Sequence, residues 1–302
     1  MLEVHVKRRV LFIINPVAGK GKTIEVLPKL KDLLEKFKDI IAAEIKISSR
    51  IGEISEITKE YYNAGYREFV AVGGDGSLSE LLNGLVFPAD EPVTVGIIPM
   101  GTGNDFVKNI YDEINIDKIL NSIFINKTKS IDIGKVNDHY FINVSSFGID
   151  GPIIEDTEKY KKILPGKSAY LYSTLKAGMI FKPSIVKVST PHESYEGAML
   201  LIAIGNGKYF GGGMKICPEA DLSDGMFDVC LVNDVSKSKF LRNISKIYSG
   251  RLAEIKEVKY LRTDQLTIVV QDKDYLINID GNLVGKTPVS VSIIKKAISI
   301  YV

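Results

Sequence analysis

Residues 69–84 constrain this chain more than any other stretch. An apolar, β-branched run, Phe69-Val70-Ala71-Val72, stops at Gly73-Gly74-Asp75-Gly76, and a helical apolar pattern begins at Ser77. Glu80 stands three residues beyond Ser77, the spacing of a capping box. The stretch reads as strand, glycine turn and helix. Three glycines let backbone N–H groups turn toward a ligand, and the helix N-terminus adds positive potential suited to phosphate. A tight turn whose aspartate caps its own helix gives the same pattern, so this loop alone leaves both readings open.

A second glycine turn shifts the balance. Residues 93–98 form another buried-strand run that ends in Pro99-Met100-Gly101-Thr102-Gly103-Asn104-Asp105-Phe106. Two such strand ends in adjacent βα units lie side by side at the carboxyl edge of a parallel sheet, where these sheets bind ligands. Near the start, Asn15-Pro16-Val17-Ala18-Gly19 follows the apolar residues 10–14. Gly21-Lys22-Thr23 ends like a Walker A loop, but the leading glycine of that motif falls at Pro16, and the motif is rejected. Lys20 and Lys22 either approach phosphate or lie solvated.

In this order and spacing, the three turns resemble the diacylglycerol kinase catalytic domain superfamily, which includes bacterial lipid kinases and sphingosine and ceramide kinases. The resemblance runs over essentially the whole chain, although the first glycine loop is shared with NAD kinases. It implies an ATP- and Mg²⁺-dependent lipid kinase. Gly73, Gly74, Gly76 and Ser77 would cradle phosphates, and Asp75 would position Mg²⁺-nucleotide. Asn15, Ser48 and Thr102 match nucleotide-contacting positions, and Asn104 and Asp105 brace or line the same cleft. Asn83 and Glu80 are read as structural.

Farther on, Cys217-Pro218-Glu219-Ala220-Asp221-Leu222-Ser223-Asp224-Gly225-Met226-Phe227-Asp228 is similar to a family segment that binds a structural Mg²⁺. Carried over, the ligands are the Asp224 carboxylate and the backbone oxygens of Asp221 and Met226, in keeping with a hard cation's preference for oxygen. Read by itself, the segment is a turn rich in Asp and Gly. Residues 205–213, Gly-Asn-Gly-Lys-Tyr-Phe-Gly-Gly-Gly, look like another family stretch and serve either as a wall of the acceptor site or as a plain turn cluster.

One departure matters. The family usually has Asp-Gly-Glu where this chain has Asp280-Gly281-Asn282, and that glutamate is taken as the general base. A neutral amide cannot take a proton, and losing a base typically costs ~10²–10⁴ in rate. Phosphoryl transfer rests mainly on positioning and charge stabilisation. Asp280 or Asp75 takes over as base, or Asn282 only orients the acceptor in a slower enzyme, or the chain binds nucleotide and lipid without turnover. The two glycine loops and the Asp224 turn favour an enzyme. Its rivals are an NAD kinase-like enzyme and a non-catalytic, membrane-associated nucleotide regulator.

Composition bounds the partners. The 302 residues are 45% apolar and 25% charged with a net charge of +2, ordinary for a globular protein and no footprint for nucleic acid. Cys217 and Cys230 lack metal-ligand spacing and are expected as buried, reduced thiols. His5, His139 and His192 are scattered and receive no role. No stretch approaches the ~20 apolar residues of a membrane span, so a cytoplasmic protein that meets its lipid at a membrane surface is expected.

Alternating strands and helices, with a strand at 42–48 and a helix in 49–65, predict an α/β domain over residues 1–127 with a doubly wound, NAD-kinase-like parallel sheet. Strand-like runs then follow at 131–136, 140–144, 185–189, 198–204, 227–232, 266–270 and 275–279, predicting an antiparallel β-rich domain over 128–292, in which the resemblance places substrate and lipid binding. The resemblance adds that residues 293–302 return to complete the first domain. Helical inserts are expected at 151–181 and 236–250. From Lys159 to Lys187 there are seven lysines and no carboxylate, interleaved with apolar and aromatic residues. That pattern is either an amphipathic membrane-surface stretch or a solvated lysine face over a packed helix. An exposed edge of the β-rich domain leaves room for a homodimer.

Overall fold

The computed structural model of the chain describes residues 7–21, 23–161, 163–164 and 166–302; Lys22, His5 and Lys162 lie outside them. The chain divides into two compact units, residues 1–132 with 295–302 and residues 133–294.

In the first unit, β1 (Arg8–Ile14), β2 (Ile41–Ile47), β3 (Glu68–Gly73) and β4 (Thr94–Pro99) run parallel in the order β2-β1-β3-β4. Leu11, Phe12, Ile13, Phe69, Val70 and Val72 are all fully buried, because the helices α1 (Thr23–Lys36), α2 (Glu53–Asn63), α3 (Asp75–Gly84) and α4 (Ile116–Phe124) leave neither face to solvent. The chain's last strand, which runs Val289–Tyr301, sets Ser299 and Ile300 opposite Thr94 and Val95. Its Tyr301 hydroxyl accepts from Arg8 Nη2 at 2.8 Å and donates to Glu68 Oε2 at 2.5 Å.

Helix α3 begins earlier than the capping box predicts. Gly74 is the N-cap, and its carbonyl accepts from the N–H groups of Ser77 and Leu78 at 3.0 and 3.2 Å. Ser77 is therefore inside the first turn, and its hydroxyl accepts from Asn15 Nδ2 at 3.0 Å instead of capping. Glu80 serves a different helix: its Oε2 accepts from the N–H of Gly52, the N-cap of α2, at 3.1 Å. The close approach of α2 and α3 explains that reach, since a Cβ on Gly84 would stand 2.4 Å from the Ser55 carbonyl oxygen.

The second unit is antiparallel and β-rich. It contains β5 (Thr128–Val136) from residue 133 onward, β6 (His139–Phe141), β7 (Val144–Gly148), β8 (Ser184–Ser189) and β9 (Ser194–Gly205), then the short β10 (Tyr209–Phe210) and β11 (Met214–Lys215), and β12 (Phe227–Asn233). After these come β13 (Val258–Thr263), β14 (Gln265–Val270), β15 (Leu276–Ile279), β16 (Asn282–Lys286) and the first half of the long last strand, β17. The twelve-residue β9 is the spine: residues 194–199 pair with β8, and residues 201–205 lie between β7 and β12. Phe147, Ile202, Ile204, Phe227 and Val229 lie in its core, where the Phe141 and Phe227 rings stack at 5.5 Å.

The single strand expected at 140–144 is broken between β6 and β7. The Asp280 carboxylate takes the N–H groups of Ile142, Asn143 and Val144 at 2.9 to 3.0 Å, so these residues bond to a side chain where a strand would bond to a neighbour.

The inserts form α5 (Asp150–Tyr160), α6 (Gly166–Ile180) and α7 (Lys237–Tyr248). Within residues 159–187, α6 presents an exposed apolar side and a buried side of small residues. On α6 the small residues Ala169, Ser173 and Ala177 are buried while Leu171, Tyr172, Leu175, Met179 and Ile180 are exposed. The small side suits close helix packing, for a Cβ on Gly178 would stand 2.2 Å from the Phe240 ring of α7. Lys159 and Lys176 also pair with Asp156, and Lys161 with Glu158, which discharges part of the lysine run. Among the described residues no helix is long and apolar enough to cross a membrane.

Candidate functional site

The parallel strands of the first unit end level. Ile14 lies opposite both Ile47 and Val72, and Gly73 opposite Pro99, so the turns after β1, β2, β3 and β4 share one carboxyl edge. Asn15, Ser48, residues 73–77, Thr102 and Asn104 all belong to these turns. Asn15 donates from its N–H to Val72 at 3.0 Å, and its Oδ1 accepts from Val17 N–H at 3.2 Å. Buried Ser48 donates to the Ile14 carbonyl from N–H and Oγ. Lys20 is exposed in the first turn, in left-handed backbone.

The two glycine loops meet backbone to backbone. Met100 N–H donates to the Gly73 carbonyl at 2.7 Å, and a Cβ on Gly101 would stand 2.6 Å from the Gly74 Cα. Gly73 is equally confined, its Cβ position lying 2.3 Å from Ser77 Oγ. Gly76 differs: no protein atom lies within 4 Å of its Cβ position. Packing does not demand glycine there, and alanine is the better helix former. An open place at a helix N-terminus is what a phosphate needs for close approach to backbone donors.

Asp75 sits at the centre. Its Oδ1 accepts from the Phe106 N–H at 3.0 Å, which ties the first loop to the end of the second. Burial, then the nearby Asp105 carboxylate, raises the Asp75 pKa above the ordinary aspartate value. Asp105 is buried and salt-bridged to Lys108 Nζ at 2.7 Å. Asn104, in left-handed backbone, donates to the Gly101 carbonyl at 2.9 Å, and its buried Oδ1 has no hydrogen-bond partner. The Asp75 and Asp105 carboxylates and the Asn104 amide oxygen are the hard oxygen donors that these two loops carry. Thr102 is exposed at the same edge.

The remaining candidates belong to the second unit. Asp280 and Gly281, both at positive φ, form the two-residue turn between β15 and β16, and Asn282 is the exposed first residue of β16. Besides the Asp280 clamp, the 142–144 segment is held by Asn206, whose Nδ2 donates to the Ile142 carbonyl at 2.7 Å.

In the aspartate-rich turn, Asp221 Oδ1 accepts from Ser223 N–H and Oγ at 2.9 and 2.8 Å. Asp224 Oδ1 accepts from Met226 N–H at 3.0 Å, and its Oδ2 pairs with Arg262. Asp228 is buried, its Oδ2 lacks a hydrogen-bond partner and lies 3.6 Å from Arg262 Nε, and burial raises its pKa. A cation at Asp224 would share that carboxylate with the guanidinium. Among the described residues no cluster of three or more His, Cys, Asp or Glu side chains is placed to hold a metal. Cys217 and Cys230 are both free and buried.

Sequence reasoning missed Arg262, Lys108 and Asp150. Asp150 opens α5 and is buried. A carboxylate directly after Phe147-Gly148-Ile149 was the one local signal, and it reads equally as a helix cap.

A parallel α/β unit followed by an antiparallel β-rich unit is also the order of domains that comparison with known proteins finds. Residues 9–136 match the diacylglycerol kinase catalytic domain, and residues 143–302 match the YegS C-terminal NAD kinase beta sandwich-like domain. The chain belongs to this diacylglycerol kinase and lipid kinase family. It is 29% identical over 287 residues to a diacylglycerol kinase of Bacillus subtilis (strain 168), covering 93% of this chain and 92% of that one. It is 27% identical over 297 residues to a diacylglycerol kinase of Staphylococcus saprophyticus, covering 98% and 95%. A crystal structure of a diacylglycerol kinase from Bacillus anthracis matches with a TM-score of 0.74 at 22% identity, over 97% of this chain and 96% of that one, a likeness of fold.

Proposed function

We propose that the chain transfers the γ-phosphoryl group of ATP to a hydroxyl of diacylglycerol or a related lipid. The observation that carries this reading is the backbone contact of two glycine loops around Asp75 at the carboxyl edge of the parallel sheet. Gly73, Gly74, Gly76 and Ser77 offer the phosphates a helix N-terminus, with Asn15, Ser48 and Thr102 along the same edge. Asp75, with Asp105 and the Asn104 amide oxygen, would hold Mg²⁺, which when bound neutralises charge on the transferring phosphates. We place Asp280 in the scaffold, because its carboxylate already accepts three backbone N–H groups. Asn282 is exposed and offers an amide that orients an acceptor hydroxyl.

The exposed apolar side of α6 supports peripheral attachment to a membrane, where the acceptor lipid resides. The turn at Asp221, Asp224 and Met226 is a second Mg²⁺ candidate, structural in role. It predicts that Mg²⁺ raises the melting temperature of the wild type by more than that of Asp224→Asn.

The test is ATP turnover with Mg²⁺ against diacylglycerol micelles and against NAD, in the wild type and Asn282→Glu. Lipid phosphorylation that Asn282→Glu accelerates is expected. Phosphorylation of NAD with no lipid product would establish the NAD kinase-like alternative. ATP binding without turnover of either would establish the regulator.

A further inference from the structure

The turn before β12 carries a cation of its own, the guanidinium of Arg262. Arg262 lies on β13, directly opposite Asp228 of β12 in the antiparallel register. Its Nη2 pairs with Asp224 Oδ2, and its Nε stands 3.6 Å from Asp228 Oδ2. Asp224 Oδ1 is already committed to the turn, accepting from the Met226 N–H at 3.0 Å. Oδ2 is therefore the oxygen that Asp224 presents to a cation, and the guanidinium holds it.

The guanidinium treats its two carboxylates unequally. Asp228 is 5% exposed, and its Oδ2 has no hydrogen-bond partner. At 3.6 Å the Arg262 Nε is near enough to attract that oxygen and too far to donate to it. A buried acceptor without a donor is costly, and more so when it is charged. The Arg262 side chain is half exposed and has room to turn, and its five N–H donors let it serve either carboxylate.

We propose that Arg262 and Mg²⁺ exclude each other at Asp224 Oδ2, and that the displaced guanidinium closes onto Asp228. The inference rests on the Mg²⁺ reading of this turn and is independent of the lipid reaction. A dication and a guanidinium in contact with one oxygen repel each other strongly, so they alternate there. Arg262 thus weakens the apparent affinity of the turn for Mg²⁺, in proportion to the time it spends on Asp224. Asp228 works the other way, because the hydrogen bond it gains offsets part of the cost of displacement. Arg262 is in this reading a positioning residue that sets how much Mg²⁺ is needed to fill the turn, and Asp228 is its alternative partner.

The test is calorimetric titration of the full chain with MgCl₂ at constant ionic strength, the site being identified by its loss in Asp224→Asn. Arg262→Gln is expected to bind Mg²⁺ about ten-fold more tightly than the wild type, as a site otherwise closed nine-tenths of the time would. Asp228→Asn is expected to weaken binding in the wild-type background at least about two-fold more than in the Arg262→Gln background, where no guanidinium needs a second partner. Arg262→Lys keeps the charge and lacks the planar fork, and it too is expected to bind Mg²⁺ more tightly than the wild type. Equal affinities of the wild type and Arg262→Gln overturn the inference and leave the Mg²⁺ reading standing. An Arg262→Lys that matches the wild type, or an Asp228→Asn effect that is the same in both backgrounds, also overturns it, since charge alone would then account for the affinities. Absence of Mg²⁺ binding from both the wild type and Arg262→Gln removes the Mg²⁺ reading and the inference together.

Discussion

Gly73 and Gly76 stand three residues apart in one loop and are glycine for different reasons. A Cβ on Gly73 collides with Ser77 Oγ, whereas one on Gly76 meets no protein atom. Gly73→Ala is expected to cost about 1–3 kcal/mol in urea unfolding, because Ser77 must move and lose Asn15. Gly76→Ala is expected to unfold like the wild type and yet bind ATP more weakly by titration; unchanged ATP affinity would mean that no phosphate approaches there. At Asp150, burial outweighs the Ser146 and Asn278 hydrogen bonds and lifts the pKa above 3.8. The folded chain then keeps a proton that the unfolded chain has released, so stability falls as pH rises from 3.8 through the raised value. Urea melts are expected to show Asp150→Asn gaining on the wild type as pH rises from about 3 to 7. A difference that does not vary with pH would contradict this. The glycine loops were legible because glycine beside a strand end has few other uses. Asp150 was not, because a carboxylate opening a helix reads as a cap, and only packing reveals its burial.

Among elements, the β15–β16 hairpin does more than turn the chain. Its Asp280 carboxylate replaces the ladder bonds missing between β6 and β7. Asp280→Ala leaves three backbone donors unpaired and is expected to cost about 3 kcal/mol or more in chemical unfolding, with Asp280→Asn intermediate. A loss below about 1 kcal/mol would show that water replaces the carboxylate freely. The break at 142–143 could not be read from local pattern, since its cause lies 136 to 138 residues away. Buried parallel strands such as β1 and β3 were legible because both faces are apolar. Helix α6 was legible only in part: its small residues face inward against α7, and side-chain pattern alone does not say which apolar face is covered.

At the scale of the whole molecule, the chain's last residues belong to its first unit. Ile298, Ile300 and Tyr301 are buried there, each worth about 1.5–3 kcal/mol. Truncation before Lys295 is expected to make the first unit rapidly cleavable in limited proteolysis, and wild-type resistance of the truncated chain would contradict that. The central claim is that the paired glycine loops hold ATP around Asp75 for transfer to a lipid. It is tested most directly by transfer of radiolabelled γ-phosphate from ATP with Mg²⁺ into a lipid extract in detergent micelles, for the wild type and Asp75→Ala side by side. The account predicts a labelled lipid band with the wild type, weakened by at least ~10²-fold in Asp75→Ala. An equally strong band from Asp75→Ala, or no labelled lipid from a wild type that binds ATP, would contradict it.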